Sequence, residues 1–243
     1  MYTFDGRVRY SEVGEDGLLT MQSLLDYFQD CSTFQSEDIG LGLEYMDKIG
    51  QVWLLSAWQI CIGRYPKYGE RVVVGTAPYE FRGFMGLRNF LMRTNEGEAL
   101  AWANSIWTLM DREKMRPVKP NADMRAGYAP EEKYPMDYAP RKIAMPANGQ
   151  PMEAFTVKPH HLDTNHHVNN GQYVRMAMDC IPGGLRISQL RVEYKSQAVL
   201  GDEIFPVTAA AENGKRYTVS LNGADGTPYC IVEFTSPAQP DLD

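Results

Sequence analysis

Cysteine is scarce and scattered, with Cys31, Cys61, Cys180 and Cys230 the only four in 243 residues. No two are spaced as C-x-x-C, which disfavours a cysteine zinc site or redox motif. Their apolar neighbours predict four buried free thiols. No apolar run approaches the ~18 residues needed to cross a bilayer, so no membrane span is expected. The first ten residues alternate polar and apolar and carry Arg7 and Arg9, without the apolar stretch of a secretory signal. The expectation is a soluble cytoplasmic protein. Basic residues are outnumbered, 24 against 31 acidic, for a net charge of −7. That balance argues against general nucleic-acid binding, which draws its affinity from phosphate neutralisation, and against an anionic membrane surface. Several catalytic fingerprints are also missing. There is no G-x-S-x-G elbow, no G-x-x-x-x-G-K-[ST] loop and no H-E-x-x-H, and Gly40-Leu41-Gly42 lacks the third glycine of a dinucleotide fingerprint.

The remaining composition is that of a globular chain, 44% apolar and 11% aromatic, with no long polar tract. Seven of its fifteen prolines fall between Pro117 and Pro151. That stretch has little sustained period and reads as a linker over residues 116–150. The expected division is a first half over 1–115 and a second over 151–243. Each half follows one order of elements. In the first, a strand over residues 2–10 precedes a turn at Gly14–Gly17 and a helix over 20–35. That helix spaces Met21, Leu24, Leu25, Phe28, Cys31 and Phe34 at three- and four-residue steps, with Thr20 as cap. Strand-like runs follow over 51–62, 71–81, 86–93 and 99–110. In the second, a short strand over 152–157 precedes a helix over 169–181. Strands follow over 185–194, 203–210, 216–221 and 229–235, with Gly223 and Gly226 marking a hairpin turn. One strand, one helix and several antiparallel strands, twice over, predict an α+β unit duplicated in tandem. A long helix wrapped by a curved antiparallel sheet is the hotdog arrangement, so the expected architecture is a tandem double hotdog.

All four histidines, His160, His161, His166 and His167, lie within one eight-residue window, together with Asp163 and Asn165 and just before the second helix. Three readings compete for this window. It can be a solvated loop capped into the helix by Asn169. It can be a metal site, since histidines are good ligands, although no carboxylate stands at helical spacing to them. It can be an acid–base site at a helix N-terminus, where free backbone N–H groups and the helix dipole hold a developing oxyanion and an imidazole activates water near neutral pH.

The run Leu162-Asp163-Thr164-Asn165-His166-His167-Val168-Asn169-Asn170, with Tyr173 after it, resembles the D-x-N-x-H-V-N-N-x-x-Y signature of the acyl-ACP thioesterases, plant plastid enzymes and their bacterial relatives. The first helix, the strand from Trp53 to Ile62 and the strand from Trp102 into Asp111-Arg112 also look like that family. The resemblance implies a double hotdog, hydrolysis of fatty acyl-ACP to end fatty-acid elongation, and no cofactor or metal. It implies Asp163, Asn165 and His167 as catalytic residues. The family's glutamate after an E-Y pair corresponds, from Glu193-Tyr194, to Gln197. Glutamine can position water but cannot take a proton. A one-residue shift would bring Glu193 into that role instead, and Ala198 stands where some relatives have cysteine. Backbone N–H groups at Asn169, Asn170 and Gly171 are the candidate oxyanion donors, with Asp163 orienting the imidazole. By the same resemblance the first half, which has no His–Asn cluster, would hold the acyl chain.

The implied partner, acyl carrier protein, is acidic, as is this chain, so docking needs a local basic patch. Arg112, Lys114, Arg116 and Lys119 form one basic cluster, and Arg141 with Lys142 another. An acyl-CoA thioesterase of the same fold, a non-catalytic acyl-binding module and a metal-binding protein are the rival functions. Monomer and homodimer both remain open, because a double hotdog already contains the pairing that single hotdogs obtain by dimerising.

Overall fold

The computed structural model describes residues 1–163 and 165–237; Thr164 of the histidine window and the last six residues lie outside them. Packing divides the chain into two compact units, Met1–Tyr138 and Ala139–Asp243.

Unit 1 is built on helix α1 (Met21–Asp38) and an antiparallel sheet. Its strands are β1 (Tyr2–Arg7), β2 (Gln51–Ile62), β3 (Arg71–Arg82), β4 (Met85–Arg93) and β5 (Ala99–Asp111), in the order β1-β3-β4-β5-β2, with the two-residue β6 (Arg116–Pro117) on β5. Helix α1 starts where the sequence places a cap, the Thr20 hydroxyl accepting the Ser23 N–H at 3.1 Å. Met21, Leu24, Leu25, Phe28 and Cys31 are buried along one stripe. Phe34, expected on that stripe, is 44% exposed, and Gln35 is buried instead. Phe28 meets Phe90 of β4 at 5.2 Å and Trp58 of β2 at 6.1 Å between ring centroids, and Trp58 meets Phe90 at 4.8 Å. Each such pair adds about 0.5–1.5 kcal/mol beyond its buried area. A second cluster joins Leu41, Met46, Leu109, Met124 and Tyr128. It includes two short helices that the sequence pattern does not announce, α2 (Leu43–Lys48) and α3 (Ala122–Gly127).

Helix α3 changes the reading of the proline-rich stretch. Asn121 caps it, its side-chain oxygen accepting the Met124 N–H at 2.9 Å, and Met124 and Tyr128 are buried in the second cluster. Farther on, Asn89 of β4 accepts from the Tyr134 backbone N–H at 3.0 Å and from the Tyr138 hydroxyl at 3.1 Å. Residues 116–138, the first part of the expected linker, are therefore packed within unit 1. The prolines break long periodicity, but six residues suffice for a capped turn that buries one methionine.

Unit 2 holds helix α4 (Asn170–Met178) and strands β7 (Gln150–Pro151), β8 (Phe155–Thr156), β9 (Gln189–Tyr194), β10 (Glu203–Ala211), β11 (Arg216–Asn222) and β12 (Pro228–Thr235). The sheet order is β9-β12-β11-β10-β7, all antiparallel, with β8 also on β10. Helix α4 packs Tyr173, Val174 and Ala177 inward and stops three residues before the expected end. Pro182 disfavours helical backbone at Ile181, and Gly183-Gly184 follows. The β11–β12 hairpin turns as expected. The Gly223 N–H bonds the Thr227 carbonyl at 2.9 Å, and Gly226 takes φ +79°.

All four cysteines are free, but only three are buried; Cys61, on β2, is half-buried. No helix among the described residues is long and apolar enough to cross a membrane.

Candidate active site

The histidine window folds as a bridged loop leading into α4. It opens on a 3-10 turn (Pro159–His161). Leu162 and Val168 then bridge across the loop, and His167 bridges to Val199. The backbone is closed by Asp163 N–H to the His167 carbonyl at 2.8 Å and His166 N–H to the Asp163 carbonyl at 3.1 Å. Two more bonds, Val168 N–H to the Ala198 carbonyl at 3.0 Å and Asn169 N–H to the His161 carbonyl at 2.9 Å, tie it to its neighbours. His166 sits at φ +62°, the left-handed region that favours glycine.

Unit 1 repeats this loop bond for bond. A 3-10 turn (Tyr10–Glu12) leads to a Val13–Leu19 bridge and a Leu18–Lys67 bridge. Gly14 N–H bonds Leu18, Gly17 N–H bonds Gly14, Leu19 N–H bonds Pro66 and Thr20 N–H bonds Glu12. Gly17, at φ +71°, holds the place of His166. Gly14, Asp16 and Leu18 stand where Asp163, Asn165 and His167 stand. One backbone motif was thus duplicated, and only the second copy carries the polar set.

The side chains divide the expected roles differently from the sequence reading. Oδ1 of Asp163 accepts the backbone N–H of Asn165 at 2.8 Å and that of His167 at 3.3 Å. This oxygen holds the loop and does not orient the imidazole. A carboxylate two residues before an amide closes a local turn more readily than it reaches a ring four residues on. Nδ1 of His167 is buried and has no hydrogen-bond partner among the described residues. Asn165 is exposed, as is Gln197, and neither side-chain amide bonds the described protein. Gln197 stands two residues before Val199, the bridge partner of His167.

Glu193, the alternative acid, has both carboxylate oxygens engaged. It is buried on β9, where Oε2 accepts the Ile143 N–H at 3.0 Å and Oε1 pairs with Lys195 at 3.3 Å.

The oxyanion donors expected at Asn169, Asn170 and Gly171 are also mostly committed. Asn169 caps α4, its side-chain oxygen accepting the Gly171 N–H at 2.8 Å, and its own N–H goes to His161. A good cap satisfies the very donors an oxyanion would use. His161 is engaged too, Nδ1 accepting the Lys158 N–H at 3.0 Å. Partial burial, with His160, Lys158 and Arg175 nearby, lowers its pKa. His160 meets the His161 ring edge-on at 4.2 Å. No group of three or more His, Cys, Asp or Glu side chains among the described residues is placed to hold a metal ion.

One residue of the signature has a role that its name alone does not disclose. The hydroxyl of Tyr173, buried on α4, accepts the N–H of buried Ala198 at 2.8 Å. Burial raises the Tyr173 phenol above its ordinary pKa, so it stays protonated. Tyr194 donates to the Asn170 carbonyl at 2.9 Å. These two tyrosines pin the segment that carries Gln197 and the first turn of α4.

Of the basic clusters, Arg112 pairs with Asp47 at 2.8 Å and Lys114 with Asp111 at 3.9 Å. Arg116, Lys119, Arg141 and Lys142 are exposed and enter no ion pair among the described residues.

Comparison with known proteins identifies the family and the fold. Residues 1–128 match the acyl-ACP thioesterase N-terminal domain and residues 146–230 the acyl-ACP thioesterase C-terminal domain. A chloroplastic acyl-[acyl-carrier-protein] hydrolase of Cuphea viscosissima is 26% identical over 90% of this chain and 58% of its own length. The chain spans little more than half the length of such curated relatives. Among solved structures, an acyl-ACP thioesterase from Bacteroides thetaiotaomicron has a TM-score of 0.89 at 22% identity, with 97% of each chain covered. The 12:0-ACP thioesterase of Umbellularia californica has a TM-score of 0.84 at 20% identity, with 98% of each chain covered. At these identities the structures establish the fold, a double hotdog of the α+β class. The two domain matches together span most of the sequence, and the chain belongs to the acyl-ACP thioesterase family.

Proposed function

We propose that this chain hydrolyses fatty acyl thioesters of acyl carrier protein, releasing a free fatty acid and ending elongation. The observation that carries the reading is His167. Hydrogen bonds between its backbone and Asp163, and the neighbouring Val168 N–H bond to the Ala198 carbonyl, hold its loop; its Nδ1 has no partner among the described residues, and Asn165 stands two residues away. A structural histidine would be expected to spend that nitrogen on the protein.

In the proposed mechanism the imidazole of His167 takes a proton from water as the water oxygen bonds to the thioester carbonyl carbon. The Asn165 amide, without a partner among the described residues, donates to the developing oxyanion. Collapse of the tetrahedral intermediate breaks the C–S bond. The departing thiolate takes back the proton from the imidazolium. Asp163 keeps the loop in shape, and Gln197 orients the water by accepting a hydrogen bond from it. Unit 1 holds the acyl chain, and the exposed Arg116, Lys119, Arg141 and Lys142 meet the acidic carrier.

The test is thiol release from acyl-ACP and acyl-CoA of matched chain length. Turnover with higher kcat/KM on the carrier protein is expected. Equal or better turnover of acyl-CoA would move the assignment to an acyl-CoA thioesterase. Saturable acyl binding without turnover on either would make the chain a binding module, the reading that Gln197 favours.

A further inference from the structure

Unit 1 buries a cation that no carboxylate neutralises. Arg88 of β4 is only 8% exposed and enters none of the ion pairs among the described residues. One terminal nitrogen, Nη1, donates to Gln35 Oε1 on α1 at 2.8 Å and to Thr76 Oγ1 on β3 at 3.3 Å. The guanidinium carbon stands 5.4 Å from the Tyr128 ring centroid. Nε and Nη2 have no hydrogen-bond acceptor among the described residues. Burial pushes the group down to about 10, so it is still charged at neutral pH.

The donors beside it are unpaired as well. Register places Arg88 opposite Ser105 of β5, and Ser105 opposite Trp58 of β2, so the three share the helix-facing side of the sheet. Nε1 of Trp58 is buried without a partner among the described residues. So is Nε1 of Trp53, on the same side, whose ring packs against Gly86. The third indole here, Trp107, does find an acceptor, Ser105 Oγ at 2.8 Å. Among the described residues this face leaves the two indole donors unpaired against one unpaired buried acceptor, Gln51 Oε1 at the start of β2. A surface built only for an alkyl chain has no use for them, since each unpaired buried donor is destabilising.

We infer that the helix-facing side of the unit 1 sheet recognises an acceptor oxygen carried on the acyl group, so that the preferred substrates are oxygenated acyl chains rather than plain alkyl ones. The Arg88 guanidinium supplies the charged donors, and the Trp58 and Trp53 indoles the neutral ones. The inference rests on the proposed assignment of the acyl chain to unit 1. A hydroxyl, an oxo group and a terminal carboxylate share the required chemistry, and the charge on Arg88 favours the carboxylate most. A site that bonds a substrate oxygen discriminates strongly against the analogue without it, because its own donors are then left bare.

Two measurements separate this from the thioesterase assignment. The first is kcat/KM on acyl-ACPs of one chain length that are plain, hydroxylated, oxo-substituted or ω-carboxylated. An oxygenated arm should exceed the plain one by about tenfold or more. Arg88→Met should collapse that ratio toward one, Arg88→Lys should restore part of it for the carboxylate, and Trp58→Phe should lower it for the neutral oxygens. Equal rates across the arms in the wild type, or a ratio unmoved in a folded Arg88→Met, would overturn the inference and leave the thioesterase assignment standing. The second is binding of the corresponding free fatty acids, read by tryptophan fluorescence, which needs no turnover. Tighter binding of the oxygenated acids, lost in Trp58→Phe and Arg88→Met, would support the inference even if every thioester proved inert. Tighter binding of the plain acids would refute it.

Discussion

Replacing Tyr173 by phenylalanine removes one oxygen and keeps the ring. The ring's packing, including the edge contact with Tyr194 at 6.1 Å between centroids, is preserved. What is lost is the acceptor for the Ala198 N–H, at 2.8 Å in a residue with no exposed surface. A buried donor left without a partner costs about 1–3 kcal/mol. For a chain of this size each kcal/mol moves the thermal midpoint by about 2–4 °C. The midpoint of Tyr173→Phe should therefore fall by about 2–12 °C, with the same loss read from urea denaturation at unchanged slope. Ala198 also accepts the Val168 N–H next to His167, so kcat should fall by more than the small unfolded fraction explains. Tyr194→Phe is the internal control. It leaves the Asn170 carbonyl, a helix-terminal acceptor, short of one donor, and should cost only about 0.5–1.5 kcal/mol. A Tyr173→Phe protein as stable as wild type, or less affected than Tyr194→Phe, would refute the pinning role.

Three further outcomes follow from the same geometry. His166→Gly should stabilise the fold by ~0.5–1 kcal/mol, relief of left-handed strain exceeding the added unfolded-state entropy, as Gly17 already does in unit 1; a loss of stability on denaturation would contradict this. The pKa of His161 is lowered in the folded state, so its contribution is complete above its unfolded value near 6.5 and is lost as pH falls below that, when a protonated Nδ1 can no longer accept from Lys158. Stability measured from pH 7 to 5 should decline, and His161→Ala should flatten that decline; an unchanged slope would remove the linkage. Reversing charge at Arg116 and Lys119 should raise KM for acyl-ACP a few-fold at low salt and lose its effect at high salt; a salt-independent or absent change would dismiss carrier docking there.

Much of the fold was legible because period and spacing carry it. Strand β2 begins and ends where the strand-like run does, and Thr20 caps α1 as its position suggests. The duplication was legible only as an order of elements; the matching loops share backbone bonds rather than residues, with glycine in one copy and histidine in the other at the left-handed position. Helix α3 was hidden because prolines mask a single capped turn. At the proposed site, the histidine window marks a loop, but side-chain direction is not written in a motif. Asp163 turns back to its own backbone, and Asn169 consumes an amide that its helix-terminal position seemed to offer. Arg88 was invisible for another reason. Within a strand pattern an arginine reads as a solvent-facing residue, and only the packing of α1 over β4 shows that it is buried.

The most direct test of the account is single-turnover hydrolysis of acyl-ACP by wild type and by His167→Ala, with folding of both verified by thermal denaturation. The account predicts a loss of at least about a hundredfold in the chemical step, the effect of removing a general base, with acyl binding retained. A folded His167→Ala that hydrolyses acyl-ACP at the wild-type rate would contradict it.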